Sequence, residues 1–377
     1  MATELTASQK AQLFAMSTRQ NMHMLSRETV SQTPATVKFT LPKSRLLSSL
    51  IVTMEFDLFV STAKTVEYCR KPVDEIAKLV RRISLDLNNG FAPFTVSGED
   101  LALYNLVDVN GDCWGNTNID PQKSRNNDYN LSIGSSNFTR IRLTFELPVT
   151  LNGRDPVGLI LLQNDQTNVT LTIDFGNVTD IFENGGDVGS NETGEGELTT
   201  MDSSYFRPEL YSNITVDVAS VTYSIPANAN AYPDLSVLKL VNGRSDSLPS
   251  AGQHVIKLST GTIYRKILFK ITDEYGKAVN PGGITAPFEL VFNQADVNYS
   301  VSAGMLRIIN EKTLGHALPA GVYMFDFSNA GSFTNFGGTR DYIDTANLSE
   351  FWLRFSSNSR GKIEIITECL SRLTKNA

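Results

Sequence analysis

The stretch TRIRLTFELPVTLNGRDPVGLILLQNDQTNVTLTIDF, residues 139–175, decides the predicted fold. Polar and apolar side chains alternate over residues 139–147, which predicts a strand with one apolar and one solvated face. Pro148 ends this strand because proline cannot donate a ladder hydrogen bond. Two polar turns then enclose a short apolar run at 158–162, and alternation returns at 169–175. Strand, turn, buried run, turn and strand in so short a stretch indicate a β-sandwich, not a helical domain.

The composition fits tandem sandwiches with polar loops. The chain has 377 residues, enough for two domains that each bury a core. Hydrophobic residues make up 41% and charged residues only 19%, with Asn, Thr and Ser in their place. Lys and Arg number 33 against 40 Asp and Glu, a net charge of −7. Because no basic arm or stripe is present, we expect no direct nucleic-acid binding, and the mild acidity indicates solubility.

The cysteines and the N-terminus indicate where the protein is made. Cys69, Cys113 and Cys369 lie far apart and show no CxxC spacing. They are interpreted as reduced thiols rather than a disulfide framework or a zinc site. Residues 1–12 contain neither a basic region nor an apolar run typical of a secretory signal. We therefore expect a cytosolic product.

The N-terminal residues predict a helical arm, residues 1–33. Thr6 and Gln9 fit a capping box, and good helix formers continue to about Arg27. The apolar side chains within it are rich in methionine, which suits an adaptable surface that docks on another body. A frayed terminal helix is the alternative interpretation.

Composition shifts divide the rest of the chain. Alternating patterns from residue 34 onward predict a first jelly roll at 34–178. Residues 179–212 are predicted to be a flexible connector, because 183–197 is rich in glycine and acidic residues. Alternation resumes at residue 213, so the second jelly roll is predicted at 213–377.

The two halves repeat a pattern rather than a sequence. The predicted helix after Ser97 matches the one that begins at Ala303, and the strand ending at Pro148 matches the one at 323–327. In the same way, 171–175 matches 353–355, and 81–90 matches 265–276. The predicted fold class is therefore all-β. It consists of two tandem eight-stranded jelly rolls, a short N-terminal helix and a short helix in each roll.

Three stretches carry a resemblance to a known family: ATVKFTLPKSRLLSSLIV, FELPV…GLILLQNDQTNVTLTIDFG and PAGVYMFDF…GTRDYIDTANLSEFWLRF. In style and layout, over nearly the whole chain, the sequence resembles double jelly-roll major capsid proteins. These belong to tailless, internal-membrane-containing dsDNA phages of the tectivirus and corticovirus type. The resemblance implies homotrimers whose six jelly rolls form a pseudo-hexagonal capsomer. It also implies an icosahedral shell around a membrane vesicle that holds dsDNA.

The resemblance further implies partners for this chain within a virion. These are neighbouring capsomers, penton and minor capsid proteins, and the viral inner membrane, which the N-terminal arm would meet. The residues expected to contact the membrane or a neighbour are Lys10, Leu13, Phe14, Met16, Arg19, Met24 and Arg27. Aromatic residues within 323–336 and Tyr342 are candidate trimer contacts, unless they belong to the second core.

Catalytic chemistry has little support in the sequence. The three histidines, His23, His254 and His316, fall in separate regions, and no HExxH, GxSxG, Walker A or Rossmann pattern occurs. We therefore predict no catalytic residue, no cofactor and no enzymatic activity.

A tandem sandwich that binds glycans, or hydrolyses them, is the alternative function. The hydrolases among such proteins are generally secreted and disulfide-bonded, features that this sequence lacks.

One motif suggests a metal. Asp108, Asn110 and Asp112 place oxygen side chains at alternate positions, as at the start of a calcium loop. The bidentate glutamate expected at the twelfth position is missing. An Asx-rich turn explains the same residues without a metal.

Overall fold

The computed structural model describes residues 7–88, 90–108, 128–134, 138–151, 157–163, 168–189, 199–227, 231, 235, 237–328 and 342–372. Strands make up 57% and helices 16%, so the protein is all-β as predicted. The chain divides into two compact units, and the boundary falls between Lys239 and Leu240.

The first unit contains most of the strands. Its described elements, in chain order, are α1 (Ala7–Ser17), β1 (Gln20–Val30), β2 (Ala35–Thr40), β3 (Leu46–Thr62), β4 (Tyr68–Pro72), α2 (Val73–Ile76), β5 (Val80–Leu87), β6 (Phe91–Val96), α3 (Gly98–Asp108), β7 (Asp128–Ser132), β8 (Phe138–Pro148), β9 (Ile160–Leu161), β10 (Val169–Phe175), β11 (Gly186–Gly189), β12 (Thr199–Met201), β13 (Phe206–Leu210) and β14 (Ile214–Tyr223). Short 3-10 turns lie at Ala77–Leu79, Val178–Phe182 and Ser203–Tyr205.

Two antiparallel sheets form the first sandwich. One has the strand order β1-β14-β3-β8, and in its centre Val52 pairs with Val218 on one side and Phe145 on the other. The other has the order β2-β10-β5-β6. Alternate side chains on both sheets are fully buried, which is the period-two burial expected of a sandwich core. They include Val52, Met54, Phe56, Ile83, Leu85, Leu171 and Ile173.

The second unit holds a second sandwich. Its described elements are β15 (Val237–Leu248, from Leu240 onward), β16 (Gly252–Leu258), β17 (Ile263–Asp273), β18 (Ile284–Phe292), β19 (Asp296–Val301), α4 (Ala303–Leu314), β20 (Val322–Asp326), β21 (Ile343–Asp344), β22 (Phe351–Ser357) and β23 (Gly361–Arg372). One sheet has the order β15-β23-β17-β20 and the other β16-β22-β18-β19. Aromatic rings from both sheets meet in one core, with Phe269 and Phe288 at a centroid distance of 5.0 Å.

The two sandwiches have the same topology. The eight strands of the first sandwich are β1, β2, β3, β5, β6, β8, β10 and β14, and those of the second are β15 to β20, β22 and β23. When each set is numbered from one to eight in chain order, both sandwiches have one sheet with the order 1-8-3-6 and one with the order 2-7-4-5. In both, a helix of about three turns, α3 or α4, connects the fifth strand to the sixth. This arrangement is an eight-stranded jelly roll. The predicted matches of the two helices, of β8 with β20 and of β10 with β22 are confirmed by position. The predicted match of 81–90 with 265–276 is wrong, because β5 is a fourth strand and β17 a third.

The arm differs from the predicted continuous helix. Helix α1 ends at Ser17, where the hydroxyl groups of Ser17 and Thr18 donate to the carbonyls of Leu13 and Phe14, both at 2.7 Å. These side chains satisfy carbonyls that have no partner at a helix end. The chain then continues as β1, which pairs along its length with β14 and forms the first strand of the first roll.

The boundaries between the predicted domains also differ. The residues at 179–212, predicted to be a flexible connector, contain β11, β12 and β13, and all three lie in the first unit. There β11 pairs with β4 and β12, while β13 pairs with β3. Strand β14, predicted to open the second roll at residue 213, is the eighth strand of the first roll. These pairings join residues far apart in the sequence, so local composition does not reveal them.

Candidate assembly surface

The N-terminal arm is anchored to its own unit through Phe14. This ring is buried in a small cluster with Leu46 and Leu159, and it meets the Tyr223 ring edge-on at a centroid distance of 5.4 Å. Burial of an aromatic side chain on this scale is worth about 1.5–3 kcal/mol. Phe14 therefore belongs to the packing of the first roll, which leaves it no exposed surface for a membrane or a neighbour.

Strand β1 presents methionines to solvent instead. Met22 and Met24 point to the same face of the strand and are 60% and 57% exposed. In the paired register Met24 lies beside Ala219, which in turn lies beside Ile51. We call Met22 and Met24, with these two half-buried neighbours, the methionine patch. The patch was missed in part by sequence reasoning, which named Met24 but not Met22, because a helix through residue 27 places the two on different faces.

The opposite end of the same sheet face is charged. Arg27 on β1 donates two hydrogen bonds of 2.7 Å to the Asp217 carboxylate on β14. These bonds hold the pKa of Asp217 below its usual value. The contribution of this pair to stability is therefore present above the usual carboxylate pKa and lost as the pH falls through the lowered value. Further along the face, Arg142 pairs with Glu55 at 3.1 Å.

The remaining arm residues are not gathered into one site. Lys10, Met16 and Arg19 are exposed, and Leu13 is half-buried. The main chain of Arg19 exchanges hydrogen bonds with Ser224, which positions the start of β1. Of the seven predicted contact residues, Phe14 is buried, Arg27 is paired within the chain, and Met24 lies in an exposed apolar patch.

The candidate trimer contacts in the second roll also include both buried and exposed residues. Tyr323 and Phe325 are buried in the second core, so for them the alternative interpretation is the correct one. Phe327 packs against that core and is half-buried, whereas Tyr342 is exposed. Residues 329–341 lie outside the described residues.

The comparison with known proteins gives the fold its context. No family model matches the sequence, and no curated protein matches it. Among solved structures, the major capsid protein of STIV superposes with a TM-score of 0.66 at 13% identity, covering 94% of this chain and 97% of that chain. The PBCV-1 virus capsid gives 0.60 at 9% identity, covering 94% and 93%. The major capsid protein of bacteriophage PM2 gives 0.51 at 13% identity, covering 95% and 100%.

This chain has the double jelly-roll fold of viral major capsid proteins. The matches extend over nearly the full length of both partners, so both rolls are accounted for by one fold. At identities of 9–13% the likeness concerns the fold alone.

Side chains that could bind a metal do not cluster in the described residues. His254 is buried on β16, where its Nε2 lies 2.9 Å from the Ser357 hydroxyl, and burial lowers its pKa. In the described part of the chain no three His, Cys, Asp or Glu side chains converge as metal ligands. Of the predicted calcium motif, Asn110 and Asp112 lie outside the described residues, as does the side chain of Asp108.

The two described cysteines are buried within their units. Burial raises the pKa of Cys69 and of Cys369 to about 12. A thiol with so high a pKa is almost entirely protonated at neutral pH, and the thiolate is the reactive form. Both residues therefore behave as small core side chains.

Among the described helices, none is long and apolar enough to cross a bilayer.

Proposed function

We propose that this protein is a major capsid protein that assembles with copies of itself into the shell of a virion. The observation that carries the proposal is the full-length match of both rolls to viral major capsid proteins, over 94% of this chain and 97% of the STIV protein. A single jelly roll occurs in proteins of many functions. Two rolls in tandem, matched from end to end, are a more specific feature.

The capsomer is a homotrimer in this proposal. Each chain supplies two units of the same topology, so three chains around a threefold axis place six similar units in a ring. Such a capsomer is pseudo-hexagonal and packs into an icosahedral shell. Neighbouring capsomers, penton proteins and minor capsid proteins are then the partners. The shell encloses a membrane vesicle with dsDNA, and the protein is made in the host cytoplasm.

Exposed apolar side chains support self-association. In the described part of the chain, fifteen large hydrophobic side chains are exposed, among them Met22, Met24, Ile308 and Ile309. Scattered exposed apolar residues are normal on a monomer, whereas concentrations of them mark interaction surfaces. Here they concentrate around α4, which supports self-association, and on β1, whose methionines are assigned below to the membrane.

The purified protein is expected to be a trimer that forms shells. Native mass spectrometry at micromolar concentration should give a mass of three chains, and electron microscopy should reveal closed particles or hexagonal capsomers. An obligate interface of this kind buries on the order of 2,000 Å² or more, so dilution should not dissociate it readily. A stable monomer that binds glycans on an array would contradict the proposal and favour the alternative sandwich function.

The methionine patch and the basic residues of the arm contact the viral inner membrane in this proposal. Replacing Met16, Met22 and Met24 with serine together should leave the melting temperature nearly unchanged, because all three side chains are exposed. Flotation with vesicles of anionic phospholipid should nevertheless fall several-fold. Exchanging Lys10 and Arg19 for glutamate should weaken flotation further, since each basic residue at such a surface contributes about 1 kcal/mol.

Phe14→Ser is the matched control for the arm experiment. Because Phe14 is buried, this variant should lower the melting temperature, and it removes no exposed apolar side chain. Flotation that is unchanged in the triple serine variant would assign the arm to contacts with neighbouring capsomers instead.

A further inference from the structure

Helix α4 has two apolar stripes, and only one of them is covered. Ala303 and Leu306 pack in the second core, and Leu314 on the same side of the helix is also buried, as expected of an amphipathic helix on a sandwich. Met305, Ile308 and Ile309 lie on the other side and are 54%, 62% and 43% exposed. Their spacing of three and four residues places them on one stripe, which we call the α4 face.

The equivalent helix of the first roll has no such exposed stripe. Every residue of α3 from Gly98 to Val107 is buried or half-buried. Helix α2 and the 3-10 turn Ala77–Leu79 pack against it, and they contribute the fully buried side chains of Ile76 and Leu79. This covering segment lies between the third and fourth strands of the first roll. A helix at this position of the fold is therefore covered where the chain provides a segment to cover it.

The second roll has no counterpart of that segment. Between its third and fourth strands, β17 and β18, the chain makes only a turn and the short 3-10 helix Pro281–Gly283. This short helix contacts α4 but leaves the α4 face in solvent. The difference between the two rolls thus follows from the length of one connection.

Residues that precede α4 in the sequence also expose apolar side chains. Strand β19, which leads directly into α4, is an edge strand of its sheet among the described residues, and it exposes Val297 and Tyr299. Five of the fifteen exposed large hydrophobic side chains in the described residues therefore fall within 297–309. Glu311 and Lys312 are exposed polar residues on the following turn of the helix. An apolar centre with a polar rim is the usual composition of a protein–protein interface.

We infer that the α4 face is covered by a second copy of this chain within the capsomer. The inference rests on the proposed function and identifies the surface by which the trimer is held together. Three exposed side chains supply only part of the roughly 1,000 Å² or more per partner that an obligate interface buries. They fit the desolvated centre of such an interface, where a few residues carry most of the binding energy. In a closed trimer this contact is heterologous, so the α4 face meets a different surface of the neighbouring copy.

Ile308→Asp tests this inference in the full-length protein. A carboxylate buried against an apolar partner surface should raise the dissociation constant of the trimer by at least about 100-fold, as loss of an interface hot spot does. Native mass spectrometry and light scattering over a dilution series measure this shift. Tyr275→Asp is the matched control, because Tyr275 is 78% exposed in a turn of the same unit, away from α4 in sequence.

Folding is checked separately from assembly. Circular dichroism should give a folded chain for Ile308→Asp, since the side chain is largely exposed. If that variant unfolds, the milder pair Met305→Ser and Ile308→Ser should still weaken the trimer while the chain stays folded. Trimers of undiminished stability in a folded variant would overturn the inference, whether or not shells form. Wild-type protein that never assembles would instead overturn the proposed function.

Discussion

Replacing Phe288 with alanine should lower the free energy of unfolding of the second roll by about 3–5 kcal/mol. The Phe288 side chain is completely buried at the centre of the second core. Its ring lies 4.8 Å from that of Tyr323, 5.0 Å from that of Phe269 and 5.5 Å from that of Phe355. Alanine leaves a cavity between two sheets that cannot collapse freely, so both the transfer energy of the ring and the lost contacts count against folding.

Urea unfolding followed by circular dichroism, with hydrogen exchange of peptides from β17, β18 and β22, measures this effect. Tyr275→Ala removes an aromatic ring from an exposed turn of the same roll and should change stability by less than about 0.5 kcal/mol. Equal losses in the two variants would mean that the core does not lie between these sheets.

Asn310→Leu should cost about 2–6 kcal/mol through unpaired main-chain groups. The buried Asn310 amide on α4 donates to the Met324 carbonyl at 2.7 Å and accepts from the Met324 N–H at 3.0 Å. Met324 lies on β20, which ends its sheet among the described residues, so the asparagine substitutes for a missing neighbouring strand. Leucine fills the space but leaves a buried donor and a buried acceptor unsatisfied, at about 1–3 kcal/mol each.

The first roll contains an equivalent pair of hydrogen bonds between a helix asparagine and a strand main chain. Asn105 on α3 donates to the Glu146 carbonyl at 2.7 Å and accepts from the Glu146 N–H at 2.8 Å, and Glu146 lies on the equivalent strand β8. Asn105→Leu should therefore cost a similar amount in the first unit. Glu311→Leu places the same side chain at an exposed position next to Asn310 and serves as the control. A loss below about 1 kcal/mol for both asparagine variants would show that water satisfies these strand edges.

Patterns read within single strands were sufficient to predict which segments of 139–175 form the strands of a sandwich. The segments of 139–175 with alternating polar and apolar residues form β8 and β10, and their apolar side chains are buried. This could be predicted because the backbone of a strand by itself places alternate side chains on opposite faces. The repeat of helix and strand between the halves was likewise visible, since a capping residue such as Ser97 is a local signal. The structure adds an equivalent cap at Ser302, whose hydroxyl accepts from the Met305 N–H.

Contacts between residues distant in sequence decided the rest. Residues 20–30 have enough helix formers to predict a helix, yet pairing with β14 about 190 residues later makes them a strand. The composition of 179–212 predicts a connector, yet its strands are held by β3 and β4. The roles of Asn105 and Asn310 were also invisible, because an asparagine in a helix has no local signature of a partner on another strand. The sequence by itself determined which segments bury one face, since that depends on each segment's own periodicity. Only the tertiary structure decided which strand each segment joins and which apolar faces remain open, because burial at an edge depends on whether another part of the chain reaches it.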